Sequence, residues 1–260
     1  LQSDLNLEYA SASFRPVERL RSVEFTRDWG LDLMAGAATE KILNASFLLE
    51  NKQSHQLKYV LGSYARNIDF NASRHQLEHH LNQQGWIINN QVAITSFKDG
   101  IKNGQFFRPT LSFAKRLSRL NGREVGLGYT AENTVSRFNY NDSITPGSFA
   151  FSTFQLYTQS DPTQLNKWGL KYFTRSDNLP DGKQMLQQDH SNNLNVNGEW
   201  MSNEHHQVRF NATYRKLNLA NNIAGTMADE SILGRLEYFT DLWKGAIAGN
   251  ALYELGGGQE

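Results

Sequence analysis

Apolar and polar residues alternate one by one along most of this chain. In "EVGLGYTAEN", Val125, Leu127, Tyr129 and Ala131 fall on one face, and Glu124, Gly126, Thr130 and Glu132 on the other. "KWGLKYFTR" sets Trp168, Leu170 and Tyr172 against Lys167, Lys171 and Arg175. "NNLNVNGEW" sets Leu194, Val196 and Trp200 against Asn195, Asn197 and Glu199. "QVRFNATYRKL" sets Val208, Phe210, Ala212 and Tyr214 against Arg209, Asn211, Thr213 and Arg215. A period of two is the signature of an extended strand with unlike faces. It predicts an all-β fold, an antiparallel up-and-down meander of about 14 strands. These fall near 5–13, 29–37, 41–51, 55–66, 70–82, 86–97, 105–118, 122–137, 147–160, 165–176, 188–202, 205–219, 231–241 and 244–255. No Pro/Gly/Ser-rich linker divides the chain. Residues 29–260 therefore read as one continuous sheet, and 1–28 as an N-terminal strand or connector.

The breaks between strands carry a second pattern. Tight ones fall at "NKQS" (51–54), "QQG" (83–85), "LNGR" (120–123), "DPTQ" (161–164), "SNE" (202–204) and near "DLWKG" (241–245). Longer ones fall at 98–105, 139–148, 176–187 and 218–230. Asn121-Gly122 is a hairpin signal by itself. Short and long breaks alternate, which predicts short turns on one edge of the sheet and longer loops on the other. Trp86, Trp168, Trp200 and Trp243 each lie within a few residues of a short turn. Tryptophan concentrates where apolar hydrocarbon meets water, so these four are the candidate interfacial aromatics.

Taken together, strands that alternate, short turns opposite longer loops and a tryptophan rim resemble the outer-membrane β-barrel proteins of Gram-negative bacteria. The resemblance is architectural and covers about residues 29–255. It implies a transmembrane barrel, closed or part of a larger one, in the outer membrane, with membrane lipid as its first partner. It implies work in transport, secretion or the scaffolding of a surface complex. Val125, Leu127, Tyr129, Leu170, Tyr172, Val196, Val208 and Phe210 would face lipid. Lys167, Lys171, Arg175, Glu199, Arg209, Arg215, Arg235, Glu237 and Asp241 would line a wet lumen. A lumen of mixed sign suits a plug or a partner protein better than an ion-selective pore. Such barrels usually end on an aromatic residue, whereas this chain ends "YELGGGQE", which predicts that it stops short of a native end. "RLRSVEFTRDWGL" (19–31) and "ALYELGGGQE" (251–260) also resemble pieces of very large envelope proteins of the Bacteroidota.

Composition agrees with this picture. Apolar residues make up 39% and charged residues 20%, too apolar for a disordered tail. The mean hydropathy of −0.58 is no objection, because half of each spanning strand would face water. Lys and Arg number 26 and Asp and Glu 26, so no bulk field attracts nucleic acid. No stretch approaches the ~18 apolar residues of a spanning helix. Cysteine is absent, which removes disulfides, Cys-ligated zinc and thiol catalysis.

"SRHQLEHHLNQQGW" (73–86) spells H-x-x-E-H with His75, Glu78 and His79, the inverted zinc-peptidase signature. The motif works on a helix, where residues four apart share a face. Only Leu77 and Leu81 would anchor such a helix. On a strand, His75 and His79 would stand ~13 Å apart, beyond the reach of one ion. The segment therefore reads as a polar strand or short surface helix, with a zinc hydrolase as the minor alternative. As a strand it has no apolar face, so it is expected to project beyond a bilayer. His205-His206 flanks the "SNE" turn. Acid pairs such as Asp28/Asp32 and Glu237/Asp241 have the carboxylates of glycoside hydrolysis but no motif around them. No catalytic residue and no cofactor is assigned, and the chain reads as non-enzymatic. The alternative to the barrel is a soluble envelope protein of the periplasm or cell surface. Its antiparallel sheet would bind lipid or a protein partner by its apolar face, since the same alternation suits a sheet with one face on a core.

Overall fold

The computed structural model describes residues 1–13, 25, 28–29, 31, 38–51, 54–203, 206–221, 225–240 and 247–258. Nearly all of them lie in strands. These are β1 (Gln2–Ala10), β2 (Glu40–Asn51), β3 (His55–Arg66), β4 (Phe70–Gln83), β5 (Trp86–Lys98), β6 (Lys102–Leu117), β7 (Arg123–Phe138), β8 (Phe149–Gln159), β9 (Lys167–Asp181), β10 (Gln184–Asn203), β11 (His206–Asn221), β12 (Gly225–Thr240) and β13 (Ile247–Gly258). They form one 13-stranded sheet in sequence order, each strand antiparallel to the next. The all-β meander expected from the alternation is therefore observed. Between β1 and β13 no pairing exists among the described residues, so the sheet is open.

Strand count is one fewer than the alternation predicts. The strand expected at 29–37 is the one not seen among the described residues: Trp29 is helical, as are Phe25 and Asp28, and 30 and 32–37 lie outside those residues. β1 joins the same sheet through an unbroken register with β2, from Gln2↔Leu48 to Ala10↔Glu40.

Loop lengths depart from expectation too. The break placed at 98–105 is a three-residue turn, because β5 ends at Lys98 and β6 starts at Lys102. The one placed at 176–187 is tighter still. β9 and β10 run on to Asp181↔Gln184, and Gly182 turns the chain at φ +60°, a conformation that costs glycine little. β11 and β12 likewise pair out to Asn221↔Gly225. Of the four breaks expected to be long, 139–148 is the one that remains a long loop among the described residues. The physical reason is that these arms are polar on both faces. Their period-two signal vanishes while the backbone ladder continues. Asn121 (φ +54°) and Gly122 (φ +75°) do form the predicted left-handed pair between β6 and β7.

β4 takes the strand form of the two expected for 73–86. As a strand it pairs along its length with β3 and with β5. A register check is available because the chain has no cysteine. Ser63 and Ser73 face each other across β3 and β4. Ser63→Cys with Ser73→Cys should oxidise to a disulfide in the folded chain, and Ser63→Cys with Arg74→Cys should not. Free-thiol counts after mild oxidation read the difference, and the opposite order would mean a slipped β4.

Candidate functional site: an apolar outer face and a charged, partly filled inner face

Directly opposed residues of an antiparallel pair share a face, so the register sorts every side chain. One row runs Leu81, Ile88, Phe113, Leu127, Leu156, Tyr172, Leu194, Tyr214, Ile232 across β4 to β12. The rows beside it hold Val125, Leu170 and Val196, and then Leu111, Tyr129 and Phe154. This is the outer face. From Val125 to Ala131 its apolar run on β7 is about 20 Å long at ~3.3 Å per residue. Towards the β9–β10 turn it gives way to polar Thr174, Asn192, Lys216 and Glu230, which share one row.

The apolar outer face is exposed, and the inner face holds the most buried residues, polar and apolar alike. Val125 is 47% exposed, Leu127 41% and Phe210 40%, whereas inner-face Glu124 is 7% exposed and Asn193 6%. All eight residues expected on the apolar face, Val125, Leu127, Tyr129, Leu170, Tyr172, Val196, Val208 and Phe210, are on the outer face. Trp86, Trp168 and Trp200 are outer-face residues beside the turns at 84–85, 160–166 and 204–205. Trp243 and Asp241 lie outside the described residues.

The inner face carries the charges. Lys167, Lys171, Arg175, Glu199, Arg209, Arg215, Arg235 and Glu237 all share it. Arg175 makes a forked pair with Asp177, Nε to Oδ2 at 2.8 Å and Nη2 to Oδ1 at 2.7 Å. Arg209 meets Glu199 at 3.8 Å, and Arg235 pairs with Glu237. Other inner-face pairs are Arg66–Glu40, Arg116–Glu124 and Lys58–Glu78. Fixed pairs of opposite sign remove the field that a one-sign ring would create.

Part of the inner face is occupied by the chain itself. Trp29 is buried against Tyr64, ring centroids 5.5 Å apart, and Phe25 meets Tyr64 edge-on at 5.6 Å. An aromatic arc continues across β3 to β6 through Phe70, Phe97 and Phe106. Gly62 makes room for the insertion: a Cβ there would stand 2.9 Å from the Trp29 ring. Asp28 sits beside Trp29 and accepts from two arginines, Arg74 Nη1 at 2.6 Å and Arg108 Nη1 at 2.7 Å. Arg108 Nε also lies 2.8 Å from Glu132. This docked corner was not read from the sequence. Its signal was there in two forms: Ile42, Tyr64, Phe70, Phe97 and Phe106 are apolar residues on an otherwise polar face, and Gly62 interrupts a strand.

His75, Glu78 and His79 are not brought together as the H-x-x-E-H motif would require. On strand β4, His75 and His79 lie on the outer face with Leu77 between them, and Glu78 lies on the inner face. Glu78 pairs with Lys58 and accepts from Gln76 at 2.5 Å. His75 Nδ1 bonds Tyr59 Oη at 2.7 Å, and the His79 and His55 Nε2 atoms stand 3.0 Å apart. Cross-strand neighbours thus satisfy the polar atoms that interrupt the apolar band here. Among the described residues no cluster of three or more His, Asp or Glu could hold a metal ion.

No family model matches the chain, and no curated protein matches it. Among solved structures a copper transporter, OprC, is similar at a TM-score of 0.46 and 14% identity over 82% of this chain. The chain spans 43% of that transporter's length. A likeness at this level leaves fold and function to be read from the chain itself.

Gly62→Val should push Trp29 out of its niche. The expected result is a loss of ~1–3 kcal/mol of stability by overpacking and a red shift of tryptophan emission. Unchanged emission would mean that Trp29 does not occupy the niche.

Proposed function

We propose that this chain is wall of an outer-membrane β-barrel, non-enzymatic, acting in transport, secretion or the scaffolding of a surface complex. The observation that supports this best is the division of the two faces: an exposed apolar belt outside, and inside the most buried residues together with charges paired in opposite sign. In water such a belt is a large exposed apolar surface of the kind that marks a membrane or partner site. In hydrocarbon it is the ordinary solvent-facing surface, and the antiparallel ladder leaves the backbone between β1 and β13 paired, as a bilayer demands. The polar strand arms above the belt, from Thr174 and Asn192 to Gly182, would stand in water beyond the bilayer.

The inner face would be a filled lumen and not an open ion path. Phe25, Asp28 and Trp29 occupy the β3–β6 side, and charge pairs of both signs line the β9–β12 side. The two unpaired sheet edges favour a second reading, an envelope sheet whose apolar face is covered by lipid or by a partner protein.

The experiment is folding with and without a membrane mimic. The barrel reading expects a cooperative, β-rich fold in micelles or bilayers and none in plain buffer. Leu127→Arg or Phe210→Arg should cost ~2–4 kcal/mol near the midplane and block membrane assembly. A folded monomer in plain buffer, or full tolerance of both arginines in bilayers, would overturn it.

A further inference from the structure

Positive charge is distributed unequally over the outer face. Near the long-loop edge Lys216 Nζ lies 2.6 Å from Glu230 and Arg137 Nη1 lies 3.7 Å from Asp142, while Lys41 and Lys98, each standing singly on that edge, have no carboxylate partner among the described residues. At the short-turn rim Lys115 and Arg123 also have none among the described residues. Lys115 opposes Trp86 on one side and Val125 on the other, and Arg123 lies two residues before Val125. The two cations are therefore diagonal neighbours, ~7–8 Å apart at their backbones. Each lies over an indole: Lys115 Nζ is 4.6 Å from the Trp86 ring centroid, and Arg123 Cζ is 5.3 Å from that of Trp168. Lys115 also donates to the Gln84 carbonyl at 2.8 Å.

The acids nearby are engaged elsewhere. Glu124 points inward and accepts from Tyr157 at 3.0 Å and Arg116 at 3.2 Å. Asp161, in the β8–β9 turn, accepts from the Thr163 backbone N–H and hydroxyl, which hold its carboxyl below the usual range. What remains is an outward arch of Trp86, Lys115, Arg123 and Trp168. Indoles settle at the depth of lipid carbonyls and glycerol, and long cationic side chains reach from that depth to the phosphates. Two adjacent cations without carboxylates match a head group of net negative charge better than a zwitterion, whose own cation they would repel.

We propose that Lys115 and Arg123, flanked by Trp86 and Trp168, form a binding site for the phosphate of an anionic phospholipid at the short-turn rim. This rests on the membrane-barrel reading. The site fixes the depth of the short-turn edge in the leaflet it contacts, and it makes that leaflet's charge matter to the protein.

The test is native mass spectrometry of the full chain folded in dodecylmaltoside, offered equal amounts of short-chain phosphatidylglycerol and phosphatidylcholine. Phosphatidylglycerol adducts should dominate, and the preference should fall with added salt. Lys115→Gln with Arg123→Gln should lower it by roughly tenfold to 30-fold, as two interfacial cations would. Lys98→Gln, on the same face at the opposite edge, should leave it unchanged. Equal adducts of the two lipids, or a preference that survives the double substitution, would overturn the head-group site while the barrel stands. Displacement by equimolar inorganic phosphate would also overturn it, since the site would then recognise the free anion. Should the double variant misfold, the wild-type lipid ratio at low and high salt decides alone. Folding of the chain in plain buffer would remove the barrel reading and this site with it.

Discussion

Every other feature of this sheet depends on keeping the backbone hydrogen-bonded where water is scarce. A peptide group left unpaired in an apolar surrounding costs several kcal/mol, so the ladder must continue even where side chains give it no help. β4 is the clearest case. Its outer face alternates Leu77 and Leu81 with His75 and His79, a poor surface for any apolar solvent. Pairing with β3 and β5 holds it in place nonetheless, and Tyr59 and His55 take up the imidazole nitrogens. The side chains adapt to the ladder here, and not the ladder to the side chains.

The inner face shows what the same constraint does to polar groups. Where the outer face is apolar, along the middle of β7 to β12, the charges lie on the other side and meet there at close range. Pairs such as Arg175–Asp177 and Arg209–Glu199 offset the loss of bulk water around each charge. Asp28 goes further. It ties a non-strand segment to two strands by accepting from Arg74 and Arg108, while Trp29 supplies the apolar contact beside it.

What was legible in the sequence follows from these forces. The middle stretches of β7 to β12 were readable, since one face is apolar, the other polar, and the period is two. The face assignments of Phe210 and Arg209 needed nothing more. The arms of β9 and β10 near Gly182 were not readable as strands, because polar residues on both faces erase the period while hydrogen bonds persist. The corner at Trp29 was missed for the opposite reason. "DWGLDL" has strand-like alternation, but tertiary contacts with Tyr64 and Gly62 override it. Uncompensated charge at Lys115 and Arg123 was invisible until the register put them side by side, eight residues apart in sequence and adjacent in space.

The strand number has a consequence for direction. In a strict up-and-down sheet odd-numbered strands all run one way, so β1 and β13 point the same way. Joined to each other, they would meet in the parallel pattern that no other neighbours in this sheet use. A second copy inserted with the same orientation would meet β1 or β13 with the same mismatch. A cylinder that is antiparallel throughout therefore has a parity: to close this wall, an odd number of further strands, alternating in direction, must stand between its two ends.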